Sequence, residues 1–510
     1  MKPKRKVILL VQDGWGIAPK GKGNFIEMAK KPNFDKYIKQ YPHCQNLASG
    51  NAVGLPQGAQ GNSEVGHLHM GAGRIVWQMY EKINIAIKDK SFFENEILIE
   101  AFKHAKENNS VLHLMGLCSD EGVHAHTNHL FALLEMAKKF GVNKVLVHFF
   151  ADGRDVAEKS AGKYAKEIEE EMKKLGVGKF GSIIGRYYSM DRDNNWDRTR
   201  KAYDMLTKGE GYKAKDIFSA IREAYARGDK TDYYIQPCVL EGFSPVKDND
   251  SVIFFNFRTD RPRQLTQAFI VPDFAKFSRG VQPKILYTTF SEYDKTFTCP
   301  YMFSEDEVRN NFGKVIAASG LKQLRMAETE KYGHVTFFFN SQIEIPNKNE
   351  ERILIPSAKV ASYDLKPEMS AYEIADEAFR QINSDKYDFI LINFANCDLV
   401  GHSAVKEAII KCVSVVDECT GKVVDAALKK NYTVVITADH GSAEDKLYPN
   451  GTVKPAHSCN PVNFIIVSND KELQKIKLKN GGQKDVAPTI LELMGLAKPK
   501  EMTGESLIKK

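Results

Sequence analysis

Short apolar runs, rich in β-branched residues, recur along the chain, and each is closed by a turn former or a charged residue. KVILLVQ (6–12) stops at Asp13-Gly14, and VLHLMGL (111–117) leads to Ser119-Asp120. KVLVHFFA (144–151) leads to Asp152-Gly153, and SVIFFNF (251–257) to Arg258-Thr259-Asp260. GSIIG (181–185), ILYTTF (285–290), FILINF (389–394), YTVVITA (432–438) and NFIIVS (463–468) follow the same plan. Runs of this length predict strands buried on both faces. Between them, helical spacing predicts helices over 27–40, 80–107, 130–141, 156–175, 307–328, 371–382 and 404–430. In the last, Ile409, Val413, Val416 and Val423 share a face. Strands alternating with helices predict an α/β protein with mainly parallel sheets flanked by helices. In such sheets ligands gather beyond the carboxyl ends of the strands.

No internal repeat, low-complexity block or long linker divides the chain, so short hinges are expected near 77–79 and 304–309. That gives a discontinuous first domain, 1–76 with 310–510, in which KVILLVQ joins the sheet of FILINF and YTVVITA. The second domain is 80–303.

Composition narrows the function classes. Of 510 residues, 72 are basic and 65 acidic, a net +7 spread over a long chain, so no nucleic-acid partner is expected. No apolar run approaches the roughly 20 residues that span a bilayer, and no membrane partner is expected. Met1–Gly16 is too short and polar in its apolar part for a signal peptide. Eight scattered cysteines without a CxxC pair predict reduced thiols and a cytoplasmic location.

The strand ends carry the candidate chemistry. In the first and last thirds they deliver Asp13, Asp398 with His402, and Asp439 with His440, and His457 follows on a loop. Each alone reads more readily as a turn, a solvated pair or a helix cap. Side by side at the ends of parallel strands they predict a centre for two divalent ions. Nearby in the chain, QGNSEVGH (60–67) surrounds Ser63 with glycines but forms no GxSxG elbow. It reads either as a surface loop whose serine caps a helix or as a nucleophile activated by the ions. The middle of the chain places Arg154, Arg186, Arg192, Arg258, Arg261 and Arg263 after strands, which predicts a pocket for a small, multiply anionic substrate. Lys331 is a further candidate point charge.

The motifs VQDGWG (11–16), GNSEVGHLHMGAGR (61–74), SDEGVHAH (119–126), ADGRD (151–155) and GRYYSMDRDNNWDR (185–198) resemble those of the cofactor-independent phosphoglycerate mutases of the alkaline-phosphatase superfamily. FNFRTDR (255–261), AETEKYGHVTFFFN (327–340), NCDLVGHS (396–403) and TADHGSAE (437–444) extend the resemblance over nearly the whole chain. It implies an alkaline-phosphatase-like metal domain with an inserted phosphotransferase domain, and two manganese ions. Magnesium, zinc and cobalt are also compatible with mixed carboxylate and imidazole ligands. Asp13, Ser63, Asp439 and His440 resemble the ligands of one ion, and Asp398, His402 and His457 those of the other. His124, Arg154, Asp155, Arg186, Arg192, Arg258, Arg261 and Lys331 resemble the substrate contacts. Three stretches depart from the family pattern. Ser442 stands where asparagine is usual, Ser341-Gln342 where two glycines are usual, and 75–83 is unlike the family text.

The resemblance implies a monomer acting on a small phosphorylated glycerate, with Ser63 as nucleophile, His124 donating to phosphoryl oxygens and Asp155 as general acid and base. Closure of the two domains is expected to keep water from the phosphoserine. A metal-dependent phosphomonoesterase is the competing enzyme reading, which the arginine cluster opposes. A nucleic-acid or protein-binding module with a structural metal is the competing class, which the balanced charge opposes.

Overall fold

The computed structural model describes residues 2–280 and 282–509. The chain folds into two compact units, one from the residues up to Gln78 together with those from Asp306 on, the other from Met79–Glu305.

The first unit is built on an eight-stranded sheet. In spatial order its strands are Glu350–Ile355, Gln323–Glu328, Phe389–Phe394, Val7–Gln12, Thr433–Thr437, Val462–Val467, His43–Leu47 and Gly481–Gly482. The first five run parallel, and Val462–Val467 is antiparallel to both neighbours. Val7–Gln12 lies between Phe389–Phe394 and Thr433–Thr437, as the apolar runs imply. Val11 is level with Asn393 and with Thr437, so the three strands finish together. All six residues of Val7–Gln12 are buried. Apolar layers on the two faces hold it, one including Ile409, Val413 and Val416 and the other Ile490 and Leu491.

The second unit carries a second eight-stranded sheet. Its order is Tyr301–Phe303, Leu286–Ser291, Ser251–Phe254, Leu112–Leu117, Val145–Ala151, Lys179–Gly185, Cys238–Leu240 and Tyr212–Ala214. Among the described residues, the Lys179–Gly185 and Cys238–Leu240 pair is the antiparallel one of this sheet. One core of aromatic and branched side chains fills this unit.

Four expectations change. The helix expected over 307–328 is only Phe312–Ala318, and Gln323–Glu328 is an interior strand. Its Gln323, Arg325 and Glu328 are all buried, and such polar residues hide the continuous apolar run that marks a central strand. The helix over 27–40 is two pieces, Phe25–Met28 and Pro32–Gln40, because proline starts a helix but cannot continue one. The one over 80–107 breaks at Lys90, whose φ is 73°. Finally, Ser251–Phe254 ends before the FNF of SVIFFNF, and the chain turns off the sheet there.

Candidate functional site

In the first unit, the three strand ends and the Ser63 segment meet. Ser63 is the first residue of the helix Ser63–Ala72, and Asn62, not Ser63, is its cap, accepting from the Val65 N–H at 3.0 Å. The serine is buried rather than on a surface loop. Gly66 permits this, since a Cβ there would stand 2.7 Å from both the Cβ and the carbonyl oxygen of Asp439. Ser63 Oγ lies 2.5 Å from Lys331 Nζ, 3.1 Å from His440 Nε2 and 3.2 Å from Asp13 Oδ1. It also sits at the electropositive end of its helix, where anions are favoured.

The imidazoles have a common arrangement. The Nδ1–H of His402 donates to the Pro455 carbonyl, that of His440 to Gly441 and that of His457 to Gly61. A carbonyl can only accept, so in each neutral ring Nε2 keeps its lone pair. Those lone pairs converge. His457 Nε2 is 3.2 Å from His402 Nε2 and 2.9 Å from Asp398 Oδ1, and His402 Nε2 is 3.3 Å from the same oxygen. With both rings neutral, these approaches bring electron-rich atoms together around the buried Asp398 Oδ1. Asp439 Oδ2 is buried as well. Ligand atoms of Asp398, His440 and His457, and of Asp13, Asp439 and His440, fall within 4.8 Å of one another. The donor set therefore fits divalent ions held by mixed oxygen and nitrogen ligands.

Electrostatics agree. Burial alone would depress the His440 imidazole, but Asp439, Asp13 and Asp398 overcome it and lift its pKa to about 10, so without an ion a proton takes the Nε2 position. Burial would likewise lower Lys331, and Asp13, Asp398 and Asp439 raise it above its ordinary value instead. The cluster recruits positive charge.

The second unit gathers the arginines. Arg186 is buried and donates to Asp152 Oδ1 and Asp155 Oδ2, both at 2.6 Å. His124 lies between two carboxylates, its Nε2 3.9 Å from Asp155 and its Nδ1 3.8 Å from Asp260. Asp260 also takes Arg192 at 2.7 Å and Arg258 at 3.1 Å. Arg261 donates to the Met190 carbonyl, and Arg154 is exposed. Arg263 turns away to the Tyr293 carbonyl and does not join them. Burial, then the charge of Arg186, pushes His124 down to about 4, so it is a neutral donor. Burial and the charges of Arg186 and Arg192 lower the Arg261 pKa, a crowding of cations that an anion relieves. Burial opposes ionisation of Asp155, yet Arg186 and Arg154 hold its pKa below the ordinary carboxylate value. Lys331 belongs to the first unit, with Ser63, and these residues belong to the second.

Several polar residues at these sites were not singled out from the sequence. Asn393 donates to Asp13 Oδ2 at 2.8 Å and approaches His67 Nε2 at 3.2 Å, and His67 Nδ1 donates to the Ser63 carbonyl. Asp152 and Asp260 organise the arginines. The available signals were position alone: His67 lies one turn after Ser63, and Asn393 is the only strongly polar residue of FILINF.

Comparison with known proteins covers both units. Residues 83–295 match the family described as BPG-independent PGAM N-terminus, and residues 302–496 the family described as Sulfatase. The chain is 50% identical over 514 residues to a 2,3-bisphosphoglycerate-independent phosphoglycerate mutase of Clostridium perfringens, covering 99% of this chain and 100% of that one. It is 51% identical over 510 residues to the Clostridium acetobutylicum protein of the same name, covering 99% of each. A crystal structure of Leishmania mexicana phosphoglycerate mutase at low cobalt concentration superposes with a TM-score of 0.60 at 30% identity, covering 100% of this chain and 99% of that one.

Proposed function

The chain belongs to the 2,3-bisphosphoglycerate-independent phosphoglycerate mutases, which interconvert 3-phosphoglycerate and 2-phosphoglycerate in glycolysis and gluconeogenesis, and we propose that it does so through a phosphoserine at Ser63. The observation that carries this is the environment of Ser63 Oγ, a buried hydroxyl within 3.2 Å of a lysine, a histidine and an aspartate at the start of a helix. Asp13, Ser63, Asp439 and His440 would hold one manganese and Asp398, His402 and His457 the other, and the ions would stabilise the serine alkoxide and the charge of the phosphoryl oxygens.

Ser63 Oγ, its proton released to solvent as the alkoxide forms, makes a bond to phosphorus as the bond from phosphorus to the glycerate oxygen breaks. Lys331 and the neutral His124 donate to the phosphoryl oxygens. The departing oxygen takes a proton through Asp155. Asp155 takes that proton up from solvent as substrate binds, because added negative charge raises a carboxylate pKa. Arg154, Arg186, Arg192, Arg258 and Arg261 retain the glycerate while it reorients. The other hydroxyl then gives its proton to Asp155 and takes the phosphoryl group from Ser63, which restores the enzyme. We expect the protein to work as a cytoplasmic monomer. Support for the compartment is that its eight cysteines are all free thiols.

The test supplies 3-phosphoglycerate labelled in its phosphate, without 2,3-bisphosphoglycerate. Wild type should form 2-phosphoglycerate and trap label on Ser63, and a chelator should abolish both. Ser63→Ala should do neither. Label on protein in Ser63→Ala would refute the assignment.

A further inference from the structure

Lys446 has no place in the reaction above, yet it is fully buried beside the histidines. An ammonium has three donors, and here each finds an acceptor. They are the Gly401 carbonyl at 3.2 Å, Ser442 Oγ at 3.0 Å and the Ala456 carbonyl at 3.1 Å. The acceptors sit on three separate loops, each next to a residue proposed to hold an ion. Gly401 precedes His402, Ala456 precedes His457, and Ser442 lies two residues after His440. Lys446 is itself fixed, with its N–H donating to the Gly23 carbonyl at 3.0 Å and its carbonyl accepting from Lys454 at 2.9 Å. The junction has no slack, since a Cβ on Gly401 would stand 2.7 Å from Ser442 Oγ and 3.6 Å from Lys446 Nζ.

The tether bears most on His402, whose side chain is 47% exposed and is oriented by the Pro455 carbonyl, one residue before Ala456. Fixing Gly401 and Ala456 together fixes the base of that ring and the carbonyl that aims it. Glu444 complements this two residues earlier. It accepts from the N–H groups of Gly16 at 3.1 Å and Ser442 at 2.8 Å, from Asn460 at 3.1 Å and from Ser458 Oγ, so it joins the loops after Asp13, His440 and His457. We propose that Lys446 is a positioning residue for the metal centre, tying the His402 and His457 loops so that their Nε2 lone pairs meet Asp398 and setting the divalent-cation affinity of that half of the site. The inference rests on the reading that these residues hold an ion.

Charge and tether predict opposite signs, which makes the test decisive. A buried cation repels a bound divalent ion, so removing it without loss of the tether's function would tighten binding. The experiment strips the full-length protein with a chelator and titrates manganese by calorimetry, with thermal melting of the metal-free form as a fold check. Lys446→Met should weaken one class of site tenfold to a hundredfold, the range typical of residues that orient ligands. It should leave the other class within a few fold and the KM for 3-phosphoglycerate at saturating manganese unchanged. Ser442→Ala, which removes a single acceptor, should weaken the same class less. Unchanged or tighter binding in folded Lys446→Met overturns the proposal. If that variant does not fold, an unchanged Ser442→Ala does the same. Wild type that binds no manganese would overturn the ion assignment as well, whereas wild-type binding with no effect of either substitution overturns only the role of Lys446.

Discussion

Lys331 Nζ donates to Ser63 Oγ across 2.5 Å, although 268 residues separate the two in the chain. The same ammonium reaches Asp13 Oδ1 at 2.9 Å and Asp398 Oδ2 at 2.6 Å. It is thus a fixed cation shared between the nucleophile and the carboxylates.

From this contact, Lys331→Met should lower kcat by about 10²–10³, the cost of losing one donor to developing oxyanion charge. Manganese should bind at least as tightly as before, because a competing cation has gone from among the carboxylates. Steady-state kinetics together with a metal titration check both. Activity restored by more manganese would assign Lys331 to metal retention instead.

Asp260 joins Arg192 and Arg258 into one group. If that group keeps glycerate while the phosphoryl group is on Ser63, Arg258→Ala should raise the ratio of free phosphate to 2-phosphoglycerate. Glycerate then leaves first and water takes the phosphoserine. An unchanged ratio with a higher KM would assign Arg258 to phosphate positioning.

His129 is buried among Tyr80, His126, Phe257 and Phe290, and burial, then the charge of His126, pushes its pKa down to about 3. The folded protein refuses a proton that the unfolded chain accepts below an unperturbed pKa of about 6.5. Its contribution is therefore present above pH ~6.5 and is lost as the pH falls from there towards about 3. At pH 5 the loss is ~2 kcal/mol for this group. His129→Gln, which can still approach Asn84 Oδ1 as the ring does at 3.0 Å, should lose less stability by that amount between pH 7.5 and 5 in urea unfolding. Equal losses in both proteins would refute the assignment.

Ser341 and Gln342 hold φ values of 60° and 64°, the left-handed region that costs an L residue energy and glycine none. Gln342 is also exposed, so little packing depends on its side chain. Gln342→Gly should raise stability by about 0.5–1 kcal/mol, the relieved strain less the entropy that glycine adds to the unfolded chain. Urea unfolding measures it, and a loss would show that the strain is relieved elsewhere.

The apolar runs KVILLVQ, FILINF and YTVVITA were legible as adjacent strands because a strand buried on both faces needs unbroken apolar character. QLRMAE escaped because its interior polar groups break the apolar run, and the partners that let them be buried are not visible in the pattern. Gln323 Nε2 donates to the Gly313 carbonyl, and Arg325 Nη2 donates to Gln323 Oε1. Ser357 Oγ donates to Glu328. Lys446 and Glu444 escaped for the same reason: in sequence they are charges in a loop, and only folding supplies their buried partners.

Sequence by itself determined the kinds of residue at each strand end and the family they resemble, because residue type and local spacing are properties of neighbours in the chain. Tertiary structure alone decided that Val11 stands level with Asn393 and Thr437, which brings the three strand ends together. It also decided which nitrogen of each histidine faces the carboxylates. His457 owes its tautomer to a carbonyl 396 residues away, at Gly61. A proton's position and a lone pair's direction are set by atoms within about 3 Å, and at this site those atoms come from opposite ends of the chain.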